Sequence, residues 1–209
     1  MSTAETEAPT GDADRVPSGG AGVLGPEAAG VVRTPRSPRV REVVAAARAV
    51  LEVEGPEALT MRRLGGELGI RAPSLYKHVP DKAAVEAALV EDVLAETGAV
   101  FHEAVAGAGT SAGRSAVESL LAAYRAEAVA HPHLYRLVTT GRLPRESLPE
   151  GLEAWSGAPF GIAVGGDEDR ARALWSLAHG MAILEVDGRY PDGADLDAMW
   201  AAGATAFTA

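Results

Sequence analysis

Hydrophobic positions along this chain recur with helical spacing. From Pro38 onward, Val40, Val43, Val44, Ala47, Val50 and Leu51 fall at i, i+3, i+4, i+7, i+10 and i+11, one face of a helix. Gly55-Pro56 ends that helix. Thr60 reads as the N-cap of a second, with Leu59 and Leu64 placed as a hydrophobic staple across it. Arg63 fills the third helical position, so the capping box is absent. Met61, Leu64 and Leu68 form the buried face, and Gly69 stops the helix. Pro73 suits the first turn of a third helix, where its missing N–H costs nothing. Leu75 and Val79 share a face of it, Pro80 terminates it, and Asp81 caps a fourth helix expected over Lys82–Ala106. Residues 107–113 read as a loop. Helical patterns follow at 114–130, 132–140, 145–156, 167–187 and 194–207. No stretch alternates with period two and no hairpin signal appears, so the fold class expected is all-α.

Residues 1–36 lack this periodicity and are rich in Gly, Pro, Ser and Thr. They read as a disordered tail. Within them, Gly20-x-Gly22-x-x-Gly25 matches a dinucleotide-binding fingerprint, but Pro17-Ser18-Gly19 precedes it and Pro26 follows. The fingerprint needs a strand before and a helix after, so it carries no nucleotide site here.

Composition narrows the function. The 209 residues are 47% hydrophobic and 23% charged, ordinary for a soluble globular protein. There is no Cys, which excludes disulfide scaffolds, thiolate zinc sites and cysteine nucleophiles. No apolar run approaches the ~18 residues of a membrane span. Glu5, Glu7, Asp12 and Asp14 occupy the first twenty residues in place of an apolar signal region, so a cytoplasmic protein without membrane partners is expected. The net charge of −10 argues against nucleic acid until its distribution is seen. Residues 1–32 carry −4 and residues 83–209 carry −10, whereas residues 33–82 hold ten bases against six acids. A basic block inside an acidic chain is an electrostatic footprint.

That block contains Leu59–Lys82, LTMRRLGGELGIRAPSLYKHVPDK. Two short helices joined through Leu68-Gly69-Ile70 fit a helix-turn-helix. Gly65, Gly66 and Gly69 supply small residues where the helices cross, and Arg71, Ser74, Lys77 and His78 give the second helix a polar outer face. Here the chain resembles the TetR family of bacterial transcriptional repressors, through Leu59-Thr60, Leu64, Leu68-Gly69, Pro73-Ser74-Leu75-Tyr76, His78 and Asp81-Lys82. Trp175-x-x-x-His179-Gly180 is similar to the Trp-His-Gly signature of one C-terminal subgroup. The Gly65-Gly66 pair departs from the family's better helix formers and would cost up to ~1 kcal/mol per exposed Gly.

The resemblance implies a tail at 1–36, a DNA-binding helix-turn-helix domain at 37–82 and a helical ligand-binding and dimerisation domain at 83–209. It implies a homodimer on double-stranded operator DNA, released by a small-molecule effector, with no cofactor. Arg62 matches a base-contacting position, suited to guanine O6 and N7. Ala72, Pro73 and Ser74 match the residues that meet base edges at the start of the recognition helix. Thr60, Arg71, Tyr76, Lys77, His78 and Lys82 complete the implied DNA set, mainly against phosphate. Two residues keep a plainer alternative: Tyr76 as packing between helices, His78 as a helix C-cap.

In the second half, Leu174, Leu177, Met181 and Leu184 form one stripe, and Leu196, Met199, Gly203 and Phe207 another. They read either as monomer core or, on the family pattern, as the two helices each subunit gives to a four-helix dimer interface. Tyr124, His131, Tyr135, Trp155, Trp175 and His179 are the expected ligand-pocket residues, with Trp155 and Trp175 foremost and a satisfied core histidine the plain reading of His179. His131-Pro132-His133 lacks a third ligand nearby, so no metal site is expected. An enzyme should show a nucleophile–base pair, paired carboxylates or a cofactor motif in context. Asp167-Glu168-Asp169 is the densest carboxylate cluster, and it sits at a helix start where acids favour the dipole. A ligand-responsive repressor is therefore preferred to an enzyme without a recognisable motif or a helical protein-interaction module.

Overall fold

A computed structural model of the protein describes residues 25–109 and 114–208, and among them every regular element is helical. The fingerprint glycines Gly20 and Gly22 lie outside the described residues, as do residues 1–24 of the expected tail. Helix α1 (Pro38–Glu54) starts where the Ser37 hydroxyl accepts the Val40 amide. It ends at Gly55, whose φ of +82° excludes a side chain. The face spaced for burial is buried: Val43, Val44, Ala47, Val50 and Leu51. Helix α2 (Met61–Glu67) is capped by Thr60, whose Oγ1 accepts the Arg63 amide at 3.1 Å.

The exit from α2 is a Schellman turn. Gly69 has φ +65°, its N–H reaches Gly66 O at 3.2 Å, and the Ile70 N–H reaches Gly65 O at 2.8 Å. A Cβ on Gly65 would lie 2.8 Å from the Ile70 carbonyl oxygen, so this position has to be glycine. Gly66 faces open space and has no such reason. The turn delivers the chain into α3 (Ala72–Leu75), a single turn with Pro73 at its start. Leu75 and Val79 close the head core with Leu51, Leu59 and Leu64.

Helix α4 (Lys82–Ala106) is capped by the Asp81 carboxylate on the Ala84 amide. Its 25 residues span roughly 37 Å at ~1.5 Å each. The near end, with Val85, Leu89 and Val93, belongs to the head core. The far end, with Phe101, belongs to the body core. That second core is built with α5 (Ala116–Ala130), α7 (Leu152–Ala163), α8 (Glu168–Val186) and α9 (Leu196–Thr208) around Leu120, Tyr124, Phe160, Leu174 and Trp200. Helix α6 (Pro132–Thr139) lies between the two cores, giving Leu134 to the head and Tyr135 to the body.

Two expectations need correction. The first is the helix placed at 145–156, which begins instead at Leu152, after a single 3-10 turn at Arg145–Ser147, and runs through Pro159. Proline inside a helix strands the carbonyl four residues back. Here that carbonyl is Trp155 O, and His102 Nε2 on α4 donates to it at 3.0 Å. The helix survives its proline because another helix supplies the lost donor.

The second correction is the tail, which does not extend to residue 36. A 3-10 turn (Pro26–Ala29) packs on α7 and α4. Val31 is buried with Ala95, Leu152 and Trp155. Arg33 Nε and Arg36 Nη2 then meet Glu91 at 2.9 and 2.7 Å, and both arginines also pair with Asp92. The Thr34 amide adds a third donor to Glu91, which is 2% exposed. Few apolar residues mark this segment, and ion pairs to residues more than fifty positions away hold it down as a strap.

Candidate nucleic-acid interface and effector cavity

Helices α2 and α3 set a row of polar side chains on one end of the head. Thr60, Arg62, Arg71, Pro73, Tyr76, Lys77 and His78 are exposed, and Ala72, Ser74 and Lys82 are half-buried. Tyr76 is 53% exposed, so it does not pack between helices. Thr60 uses an oxygen lone pair for its cap and keeps its hydroxyl proton to donate.

Ion pairing divides the basic block. Arg33 and Arg36 are spent on Glu91 and Asp92, Arg48 on Glu96 and Glu52, and Arg39 on Glu42. Arg63 is held by Glu54 and Glu67, which raise its pKa. Arg62, Arg71 and Lys77 pair with no acid among the described residues, and Lys82 has one partner, Glu86 at 3.3 Å. The positive charge still free for an anion thus lies on Arg62 of α2 and on Arg71 and Lys77 at either side of α3, with Arg41 of α1, which donates only to the Arg36 carbonyl, also without an acid partner among the described residues. Neighbours Arg62 and Arg63 differ because a helix turns ~100° per residue. One points to acids of its own head and the other to solvent.

The body contains a cavity of about 460 Å³, open to solvent on one side and lined by α4, α5, α6, α7 and α8, with Arg48 of α1 at its head-side end. Of the six expected pocket residues, Tyr124, His131, Tyr135 and Trp175 line it. Trp155 does not: it is 7% exposed, its ring stacks on His102 at 4.8 Å, and a Cβ on Gly98 would strike it at 2.5 Å. It fills the seam between α4 and α7. His179 stands one step behind the wall, its Nδ1 2.7 Å from the Tyr135 hydroxyl and its ring stacked under Trp175. The Tyr135 hydroxyl is in turn 3.4 Å from that of Tyr124. Burial raises both phenols and lowers the His179 imidazole, so this chain of three is neutral near pH 7.

Phe101, Leu134 and Phe160 supply apolar wall, and Arg48, Glu96, Glu127, Arg145 and Glu153 bring charge to the lining. Sequence reasoning missed the charged set. The usable signal was Glu127, three residues after Tyr124 and so on the same face of α5. Among the described residues no cluster of three or more His, Asp or Glu could hold a metal ion. His131 instead meets Glu52 at 2.8 Å, and His133 lies against Gly55.

Of the residues expected at a dimer interface, Leu174 is fully buried within the protomer and cannot reach a partner. It belongs to the body core with Leu120, Tyr124 and Phe160. Leu177, Met181, Leu196, Met199, Gly203 and Phe207 are half-buried, and Leu184 is 42% exposed. At Gly203, α9 approaches Met181 and Leu177 of α8 closely. The outer face of α9 carries Ala201, Ala202, Thr205 and Ala206, beyond Asp197 in its first turn, which pairs with Arg125 of α5. Among the described residues no helix is long and apolar enough to cross a membrane.

Residues 43–89 match the family model described as bacterial regulatory proteins, tetR family. Residues 117–207 match the one described as tetracyclin repressor-like, C-terminal domain. An uncharacterized HTH-type transcriptional regulator of Mycobacterium tuberculosis is 30% identical over 199 residues, covering 89% of this chain and 87% of that protein. Among solved structures, a protein of unknown function from Rhodococcus sp. RHA1 superposes with a TM-score of 0.67 at 24% identity, over 82% of this chain and 94% of that one. The fatty acid degradation regulator FadR from Bacillus halodurans shares the fold at a TM-score of 0.52 and 11% identity, over 83% of this chain and 96% of its own.

Proposed function

Because the chain belongs to the TetR family of transcriptional regulators, a family of DNA-binding proteins and not of enzymes, we propose that it is a ligand-responsive repressor. It works in the cytoplasm as a homodimer on a two-fold operator and leaves when a small molecule enters the body cavity. The observation that carries this reading is the reach of that cavity. Its lining includes α4 residues Val93 to Phe101, on the helix that holds the head, and Arg48 of the head itself. A ligand there touches both the part that moves and the part it moves against.

On the DNA side, Arg62 reads a guanine edge, Ala72, Pro73 and Ser74 meet bases, and Thr60, Arg71, Tyr76, Lys77, His78 and Lys82 hold phosphates. The unpaired state of Arg62, Arg71 and Lys77 supports this, since an arginine already bound to carboxylate gains little from a second anion. Residues 37–82 serve as the DNA-binding domain and residues 83–209 as the ligand and dimer domain. Dimerisation uses the exposed alanine face of α9 together with Leu177, Met181 and Leu184 of α8.

Two heads of such a dimer meet successive major-groove faces when they sit ~34–36 Å apart or a multiple of it. The ligand must prefer a head spacing that misfits DNA, because equal affinity for both states shifts nothing. Helix α4 is the lever, and a small tilt at its body end becomes several ångströms at the recognition helix. The test uses labelled duplexes from the DNA flanking the gene, titrated with the full chain beside random duplex at several salt concentrations. A two-fold footprint, with two chains per duplex, is expected. Affinity equal for flanking and random DNA would refute an operator-bound repressor.

A further inference from the structure

We propose that the effector is a lipophilic monocation, an aromatic or alkyl amine or quaternary ammonium, whose charged group sits at Glu127. The inference rests on the cavity being the effector site and deepens it by charge accounting along the lining. Three carboxylates and three guanidiniums face the cavity. Arg48 binds Glu96 through two short contacts, at 2.6 and 2.8 Å. Arg145 binds both oxygens of Glu153 at 2.6 Å. Arg172 is turned to Glu168 and Asp169 outside the lining. Each arginine is thereby neutralised before a ligand arrives, and an anionic ligand would have to displace a carboxylate to be recognised.

Glu127 is the exception. It lines the cavity, is half-buried, and no cation reaches it among the described residues. Its nearest basic neighbour on α5, Arg125, faces the other way and is held by Glu185 and Asp197. Arg48 also lies 3.7 Å from Glu52, and His131 of the lining meets that same Glu52 at 2.8 Å, so both basic groups already have carboxylate partners before Glu127 is counted. A cation brought to this unpaired carboxylate gains a charge-assisted contact without displacing a partner.

The walls agree with the charge. Phe101, Tyr124 and Phe160 pack mutually with ring centroids 5.5–6.3 Å apart, and Tyr135 meets Tyr124 edge-on. Aromatic faces attract an ammonium and also shed water from the apolar part of a ligand. The volume of about 460 Å³ is that of a small drug-sized molecule.

A matched set of probes tests this: para-butylbenzyltrimethylammonium, para-butylbenzyl alcohol and para-butylbenzoate. Binding to the free full-length protein is read by tryptophan fluorescence, since Trp175 lines the cavity, and by thermal shift. The cation should bind about tenfold more tightly than the alcohol, and the carboxylate most weakly, as for a charge-assisted contact. Glu127→Gln should bring the cation to the level of the alcohol and leave the alcohol unmoved, which also shows that the variant is folded. Equal or tighter binding of the alcohol or the carboxylate, a cation preference that persists in Glu127→Gln, or no binding of any probe would overturn the assignment. Release of operator duplex is measured separately. The predicted preference without release would uphold the ligand class and remove the effector role instead.

Discussion

Arg36→Ala should be the most damaging single substitution in the N-terminal strap. The Arg36 side chain is 10% exposed and donates to Glu91, to both oxygens of Asp92 and to the Ala88 carbonyl, at 2.7–3.0 Å. Removing one partner of a buried pair commonly costs about 3–5 kcal/mol, because the other charge is left in low dielectric. Glu91 keeps Arg33 and the Thr34 amide, so the loss should fall lower, at about 2–3 kcal/mol. For a chain of this size that corresponds to a midpoint roughly 5–10 °C lower. Arg39→Ala is the control: its pair with Glu42 is exposed and three residues apart, worth less than about 0.5 kcal/mol. Thermal melts of the two variants beside wild type decide the matter. Equal midpoints for Arg36→Ala and Arg39→Ala would refute the strap as a stabilising element.

The same cluster predicts a pH dependence. Burial pushes the Glu91 carboxyl up, but the hydrogen bonds from Arg33, Thr34 and Arg36 outweigh it and hold the group below its ordinary value of 4.5. The unfolded chain therefore takes up this proton first as pH falls. The contribution is complete above about pH 4.5 and is lost as pH falls through the lower, folded value. Wild type should exceed Glu91→Gln in stability at neutral pH, and the gap should close in acid. A gap unchanged between pH 7 and pH 3 would show that Glu91 acts through shape alone.

Three other outcomes follow from single contacts. Gly65→Ala should destabilise by about 1–3 kcal/mol, because the Ile70 carbonyl cannot move without opening the turn, while Gly66→Ala should stabilise by up to ~1 kcal/mol; urea midpoints of the pair check the opposite signs. His102→Ala should cost about 1–3 kcal/mol by stranding the Trp155 carbonyl above Pro159, and Pro159→Ala in the same background should recover part of it, measured as a double-mutant cycle. Arg62→Ala should lose ~1–3 kcal/mol on operator and relax one base position per half-site, whereas Lys82→Ala should weaken all duplexes alike and reduce the salt slope by ~1; salt titrations by anisotropy would expose the idea if both variants bound as wild type.

The helices whose ends are set by local chemistry could be read in advance. Thr60 and Asp81 each cap with their own side chain, and α4 runs over the residues expected of it. The failures share a cause. Pro159 argues against a helix on any local rule, and it is tolerated because His102, far away in sequence, replaces the donor it lacks. The strap buries little apolar surface, chiefly Pro26 and Val31, and its remaining hold comes from acids on α4 that no spacing rule connects to it. Trp155 was expected in the cavity because large aromatics line pockets. They also fill seams, and what sent it to the seam was the absence of a side chain at Gly98 on the facing helix.

Charge was the least legible property. The block at residues 33–82 has a net excess of bases, yet a count cannot say which of them remain free. Arg62 and Arg63 are identical in type and adjacent in sequence. Arg63 lies over Glu67 one turn on and beside Glu54 at the end of α1, so its charge is consumed in holding α2 to α1. Arg62 has neither neighbour and keeps its charge. The same sorting operates in the cavity, where Arg48 and Arg145 are consumed and Glu127 is not. In both places the residue available to a partner is the one left over after the fold has paired its own charges, and that remainder exists only once the helices are packed.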